Sequence, residues 1–90
     1  MVDLHLGDCL NILPTLPDDS IDMVMVDLPY GTTACKWDSI IPLDFLWEQY
    51  NRICKGNAAM VFTAAQPFTT ILASSNIQNF KYEWIWEKPQ

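Results

Sequence analysis

Residues 21–31 read IDMVMVDLPYG, an apolar run that ends in an aspartate, a proline, a tyrosine and a glycine. The short run with its β-branched residues predicts a strand over residues 21–26, buried on both faces. Asp27 then stands at the carboxyl end of this strand. A tight turn explains Pro29 and Gly31, because proline fixes φ and glycine relieves steric limits. It does not explain Asp27 or Tyr30, so these two side chains are candidate site residues.

The segments around this strand alternate between strand and helix patterns. Asp8 is placed to cap a helix that begins at Cys9. Apolar residues recur every three or four positions after Pro42, which predicts the longest helix, with Gly56 at its C-terminal end. The full prediction is strands at 2–6, 21–26, 58–63 and 81–87, and helices at 9–16, 42–56 and 68–75.

This order, β-α-β-α-β-α-β, predicts an α/β fold with a partial, doubly wound, Rossmann-like parallel sheet. In such sheets ligands bind beyond the carboxyl ends of the strands. Asp8, Asp27 and residues 64–67 all follow predicted strands. We therefore expect these residues at one edge of the sheet, where they would form a candidate site.

The composition fits one small globular domain of 90 residues with a net charge of −6. A free-standing nucleic-acid binder usually has a basic face, and here the five lysines and arginines are spread apart. Any phosphate affinity must therefore come largely from elsewhere. The N-terminus has no signal-peptide pattern and no apolar run could span a bilayer, which predicts a cytoplasmic protein without a membrane partner.

Several reactive or aromatic side chains have a simpler structural interpretation. His5 has no partner motif and is interpreted as a core or edge histidine. The cysteines follow no metal-binding spacing, so we expect no metal site and reduced, packed thiols. Trp84 and Trp86 share one face of the last predicted strand and are expected in a core or a buried interface. The same reading applies to two aromatic residues on the apolar face of the longest helix, Trp47 and Tyr50.

The turn after Val26 has the chemistry to bind a flat amino-bearing group. The Asp27 carboxylate and the backbone carbonyls beside Pro29 offer hydrogen-bond acceptors, and Tyr30 offers a stacking face. A nucleobase edge that carries an N–H₂ group suits this arrangement.

The segment VDLPYG resembles the (D/N/S)PPY motif of amino-group DNA methyltransferases. The resemblance extends upstream through HLGDCLNILPTLPDDS and downstream through AAMVFTAAQPF and YEWIWEKPQ, in the family's order. The segments PYGTTACKWD and WEQYNRICK are especially similar to phage and prophage adenine methyltransferases, which implies a bacterial or phage-infected cell. One position departs from the motif, because Leu28 stands where the first proline is usual.

The resemblance implies transfer of methyl from S-adenosylmethionine to adenine N6 of a base flipped out of double-stranded DNA. It assigns Asp27, Leu28, Pro29 and Tyr30 to catalysis, with Asp27 and the Leu28 carbonyl accepting hydrogen bonds from the amino group. It places the cofactor near Asp8, Cys9 and Asp27. It assigns base or DNA contacts to five residues of the following loop: Tyr30, Gly31, Thr32, Lys36 and Trp37.

A complete enzyme of this family also needs a glycine-rich cofactor loop and a target-recognition region. The three glycines of this chain form no GxG pattern. We therefore expect residues 1–90 to be a single partial domain, the N-terminal catalytic half, and to be inactive alone. Its expected partners are DNA and either a complementing chain or further copies of itself.

Two other classes of function stay open. The first is methylation of cytosine N4, of RNA or of a protein amide, although the amide and RNA families usually carry Asn where Asp27 stands. The second is a non-catalytic remnant that acts as an interaction module through its open sheet edge.

Overall fold

The computed structural model describes residues 2–29 and 41–89. Helix α1 (Cys9–Ile12) runs into a 3-10 turn at Leu13–Thr15, and strand β1 spans Ile21–Asp27. Then follow α2 (Leu43–Ile53), β2 (Cys54–Thr63), α3 (Phe68–Ser75) and a 3-10 turn at Ile77–Asn79.

The centre of the fold is a β-α-β unit formed by β1, α2 and β2. The two strands are parallel, and their register runs from Ile21 opposite Cys54 to Asp27 opposite Thr63, with an irregularity between Ile21 and Met23. Parallel strands need a long crossover between them, which includes α2 here. The carboxyl ends of β1 and β2 therefore lie side by side.

The core lies between α2, α3 and one face of the two-stranded sheet. Trp47 of α2 packs edge-on against Phe62 of β2, with 5.3 Å between ring centroids. The Trp47 indole N–H also donates to the Ser75 hydroxyl at 2.9 Å, which ties α2 to α3. The buried apolar side chains are Leu28, Leu46, Tyr50, Ile53, Cys54, Phe68 and Leu72.

The prediction that β1 is buried on both faces is wrong. Val24 and Val26 are half-buried against the core, whereas Met25 on the other face is 73% exposed. The reason is that helices cover only one face of the sheet in the described residues. Met23, Met25, Ala59 and Val61 form the uncovered side, which is called the open face below.

The predicted strands at 2–6 and 81–87 are also wrong, since neither segment forms a strand in the structure. Both carry the alternating pattern of a strand, but a strand is stable only when a neighbour pairs with it. Trp84 and Trp86 are 86% and 79% exposed, so the expectation that they lie in a core fails as well. His5 is likewise exposed. Within the described residues the sheet has two strands of the predicted four, and the doubly wound sheet stays a prediction.

Helix α2 ends at Ile53, three residues before the predicted Gly56, which lies within β2. Cys54 already pairs with Ile21 across the sheet. The Ile53 carbonyl accepts a hydrogen bond from the Ser20 backbone N–H at 2.7 Å. Strand pairing therefore ends the helix before the glycine does.

None of the helices in residues 2–29 and 41–89 combines the length and apolar character needed to cross a membrane.

Candidate amino-group binding site

The candidate site is built on Asp27, the last residue of β1. Its side chain is exposed at the carboxyl edge of the sheet. Thr63, the last residue of β2, lies directly opposite in the parallel register. The Thr63 hydroxyl donates a hydrogen bond of 2.6 Å to Asp27 Oδ1. A hydroxyl-to-carboxylate bond of this length is charge-assisted, so it restricts where the carboxylate points.

Leu28 follows Asp27 and is held by burial. Its side chain is 5% exposed and belongs to the core cluster that includes Leu46, Phe68 and Leu72. Pro29 is half-buried beside it. The chain therefore leaves the sheet edge with one residue anchored in the core and the next fixed in φ. Core packing thus restrains the chain at Leu28, directly after Asp27.

Asp8 has a structural role in α1, as the sequence predicts. Its Oδ1 accepts a hydrogen bond from the Leu10 backbone N–H at 2.9 Å, and this caps the helix. In the described part of the chain, the Asp8 side chain hydrogen-bonds only within its own helix turn and not to Asp27. The contact of Asp8 with a cofactor stays a prediction.

Cys9 and Cys54 are both protected from ionisation. Burial and then the negative charge of Asp8 raise the pKa of the Cys9 thiol. Burial alone raises the pKa of the Cys54 thiol, which lies in the core. Neutral thiols are poor nucleophiles, so neither residue is prepared for covalent catalysis.

The remaining predicted site residues lie outside the described part of the chain. These are the stacking residue and the loop that follows it: Tyr30, Gly31, Thr32, Lys36 and Trp37. Their roles in stacking and in DNA contact stay predictions.

Sequence reasoning missed Thr63, although it placed residues 64–67 at the correct edge. The available signal was its position as the last residue of the predicted strand at 58–63. Gln66 lies just beyond it, and its Oε1 accepts hydrogen bonds from the Thr70 backbone N–H and hydroxyl at 3.2 and 2.9 Å. Gln66 is thereby engaged at the start of α3, whereas the Asp27 side chain is exposed at this edge.

Three positively charged side chains of the described residues have partners other than Asp27. Arg52 bonds to Asp18 at 2.6 Å, and Lys55 bonds to Asp22 at 2.8 Å near the opposite end of the strands. Lys88 lies over the Trp86 ring, 5.0 Å from its centroid.

Among residues 2–29 and 41–89, no three His, Cys, Asp or Glu side chains are grouped so that they could hold a metal ion.

No protein-family model, curated protein or solved structure matches this chain.

Proposed function

We propose that this chain carries the amino-group acceptor site of a site-specific DNA methyltransferase. The substrate would be adenine N6 of a base flipped out of double-stranded DNA, and the methyl donor S-adenosylmethionine. The supporting observation is the carboxyl end of β1, where Thr63 holds the exposed Asp27 and Leu28 is anchored in the core. A carboxylate next to a backbone carbonyl offers acceptors for both protons of an exocyclic amino group.

The work proposed for these residues is to make the amino nitrogen a better nucleophile. In adenine its lone pair is delocalised into the ring. Hydrogen bonds from the amino group to Asp27 and to the Leu28 carbonyl would favour a pyramidal nitrogen with a free lone pair. The nitrogen loses one proton when it takes the methyl group, and in this proposal the Asp27 carboxylate would accept that proton. Tyr30 would stack on the flipped base.

The residues assigned to S-adenosylmethionine have a charge that complements the positive charges of this cofactor. The cofactor supplies an electrophilic methyl group on a positively charged sulfur, and it also carries an ammonium group. Asp8 is exposed, and its cap uses Oδ1 alone among the described contacts, so its negative charge is available to such a cation. The neutral Cys9 thiol beside it would contribute packing rather than charge.

The 90-residue chain alone is proposed to be inactive, because it contains no GxG pattern to hold the methionine end of the cofactor. Measurable transfer of labelled methyl from S-adenosylmethionine to DNA by the purified chain would contradict this.

A neutral base is the appropriate probe of the acceptor site, because a chain of net charge −6 repels DNA phosphates. We expect 9-methyladenine to bind with a dissociation constant on the order of millimolar, measured by ligand-observed NMR titration. We expect 9-methylpurine, which lacks the amino group, to bind about tenfold more weakly, because a hydrogen bond to a charged group contributes about 1.5–3 kcal/mol.

Asp27→Ala should abolish the preference for the amino-bearing base. Asp22→Ala is the matched control, since it removes the same charge from the other end of β1. Equal binding of the two probes by the unmodified chain would refute the acceptor site. Tighter binding of 1-methylcytosine than of 9-methyladenine would instead move the substrate to cytosine N4.

A second candidate function, an interaction module without catalysis, is favoured by the amount of exposed surface. The chain exposes 7451 Å², whereas a folded monomer of its 10.3 kDa exposes about 5,400 Å². The excess of about 2,000 Å² exceeds the roughly 800 Å² that each partner buries in a standard interface. For this candidate, we propose that a second copy of the chain docks on the open face. Self-association without any preference for 9-methyladenine would favour this function over the first.

A further inference from the structure

The hydrogen bond between Thr63 and Asp27 joins the ends of the two strands at the candidate site. Asp27 and Thr63 are register partners, so the backbone ladder of the sheet fixes their separation. The Thr63 Oγ1 lies 2.6 Å from Asp27 Oδ1. Within the described residues, the second carboxylate oxygen, Oδ2, makes no hydrogen bond. Among residues 2–29 and 41–89, the protein therefore occupies one carboxylate oxygen of Asp27, and the other has no hydrogen-bond partner.

An exposed aspartate without such a partner rotates about its side-chain bonds. This rotation weakens ligand binding, because the side chain loses conformational entropy if the ligand must fix the acceptor oxygen on binding. A side chain that the protein already holds in place avoids this loss. Thr63 restricts this rotation through its hydrogen bond to Asp27. The restraint comes from the neighbouring strand β2, and not from the segment that follows Asp27 in the sequence. Its hydroxyl acts as donor, so it restrains the ionised carboxylate without using the second oxygen.

We propose that Thr63 is the positioning residue of the acceptor site. Its hydroxyl fixes the Asp27 carboxylate in one rotamer and leaves Oδ2 to accept a proton of the amino group. This inference rests on the proposed function for the identity of the ligand, but the restraint on Asp27 is a property of the chain alone. The two parts are therefore tested by separate measurements.

The first measurement is the side-chain conformation of Asp27 in the whole chain, from three-bond NMR couplings about χ1. Thr63→Val removes the hydroxyl at nearly constant shape, and Thr63→Ser retains it. Thr70→Val is the control, because its hydroxyl bonds to Gln66 instead. We expect one Asp27 rotamer in the unmodified chain, in Thr63→Ser and in Thr70→Val, and averaged couplings in Thr63→Val.

The second measurement is binding of 9-methyladenine to the same variants. Thr63→Val should weaken it roughly fivefold to tenfold, the scale of one lost hydrogen bond, and Thr63→Ser should bind like the unmodified chain. If Thr63 had only a structural role, Thr63→Val would lower the stability of the chain without changing the Asp27 rotamer. The serine variant would then not differ from the valine variant in the Asp27 couplings.

Each failure is distinguishable from the others. A single Asp27 rotamer in Thr63→Val, or averaged couplings in the unmodified chain, would overturn the positioning role whatever the probe does. Unchanged binding of 9-methyladenine by Thr63→Val would also overturn it, while leaving the acceptor site in place. A fixed rotamer that depends on Thr63 in a chain that binds no 9-methyladenine would support the restraint and refute the proposed function.

Discussion

Asp8 carries two assignments that a single pair of substitutions can separate. It caps α1 through a hydrogen bond of 2.9 Å to the Leu10 backbone N–H, and it is proposed to lie beside the methyl donor. The first role needs a side-chain oxygen, whereas the second needs a negative charge. Asparagine has the oxygen without the charge, and alanine has neither.

We expect Asp8→Asn to retain the stability of the chain, because asparagine caps helices as well as aspartate does, and Asp8→Ala to lose about 1 kcal/mol. Urea unfolding measures this difference. Calorimetric titration of S-adenosylmethionine should show weaker binding to both variants than to the unmodified chain. Identical binding to the Asn variant and the unmodified chain would exclude Asp8 from the cofactor site and leave only the cap.

At the scale of elements, Arg52 fastens the end of α2 to the segment before β1. Its guanidinium donates to the Leu13 carbonyl at 2.9 Å and to the Leu16 carbonyl at 2.8 Å. It also bonds to the buried Gln49 side chain at 3.0 Å and to the exposed Asp18 carboxylate at 2.6 Å. Because Asp18 is exposed to solvent, the carbonyl bonds should contribute more than the ion pair.

Substitution of Arg52 by methionine, which keeps the length without the donors, should lower the free energy of unfolding by about 2 kcal/mol. Asp18→Asn removes only the ion pair and should cost less than about 1 kcal/mol. Urea titrations of both variants test this. Equal losses would mean that the ion pair, and not the carbonyl bonds, holds the segment.

The core side of α2 also makes the fold sensitive to high pH. Burial first, and then the charges of the Cys9 and Cys54 thiolates, raise the pKa of Tyr50 to about 12 from an ordinary value of 10.0. The folded state therefore keeps the phenol proton more tightly than the unfolded state does. This contribution is fully present below pH 10, and it is lost as the pH rises from about 10 to about 12.

We expect the free energy of unfolding to fall by about 2 kcal/mol across this range because of Tyr50 alone. The Tyr50→Phe variant should lack this part of the pH dependence. The test compares urea midpoints of the two proteins at several pH values between 9 and 12. Parallel pH profiles would show that Tyr50 ionises equally in both states.

The elements that the sequence predicted well are those whose signals are local. Helix α3 spans Phe68–Ser75 as expected, and the Asp8 cap is confirmed. The strand predictions for residues 2–6 and 81–87 were wrong. An alternating pattern indicates only a preference for the extended conformation, whereas strand pairing depends on neighbours that are distant in the sequence. For the same reason Thr63 was missed, since its role depends on the register with Asp27. The end of α2 was misplaced because pairing of Cys54 with Ile21 outweighed the glycine signal at Gly56.

At the scale of the whole molecule, the chain is less compact than a closed domain of its length. Its radius of gyration is 14.0 Å, compared with about 12 Å for a compact 90-residue domain. Large apolar side chains are also exposed, both on the open face (Met25, 73%) and near the C-terminal end of the described residues (Trp84, 86%). Exposed apolar side chains that are grouped on one surface are typical of an interaction site.

We therefore expect the chain to self-associate in solution, with an average mass by sedimentation equilibrium that rises above 10.3 kDa with concentration. Met25→Lys places a charge in the open face and should weaken association about tenfold or more, the scale of losing one buried apolar side chain. Ile77→Lys, at an exposed position outside that face, is the control. A mass that stays monomeric at high concentration, or an equal effect of the control, would contradict docking on the open face.

We propose that a base with an amino group binds at the carboxyl edge of β1 and β2. The most direct test is a map of backbone amide shifts in the ¹⁵N-labelled chain as 9-methyladenine is added. We expect that, among the described residues, the largest changes occur at Asp27, Leu28 and Thr63, and that Asp27→Ala removes them. Largest changes at the opposite strand ends, Ile21 and Cys54, or along the exposed aromatic segment 82–86, would contradict it.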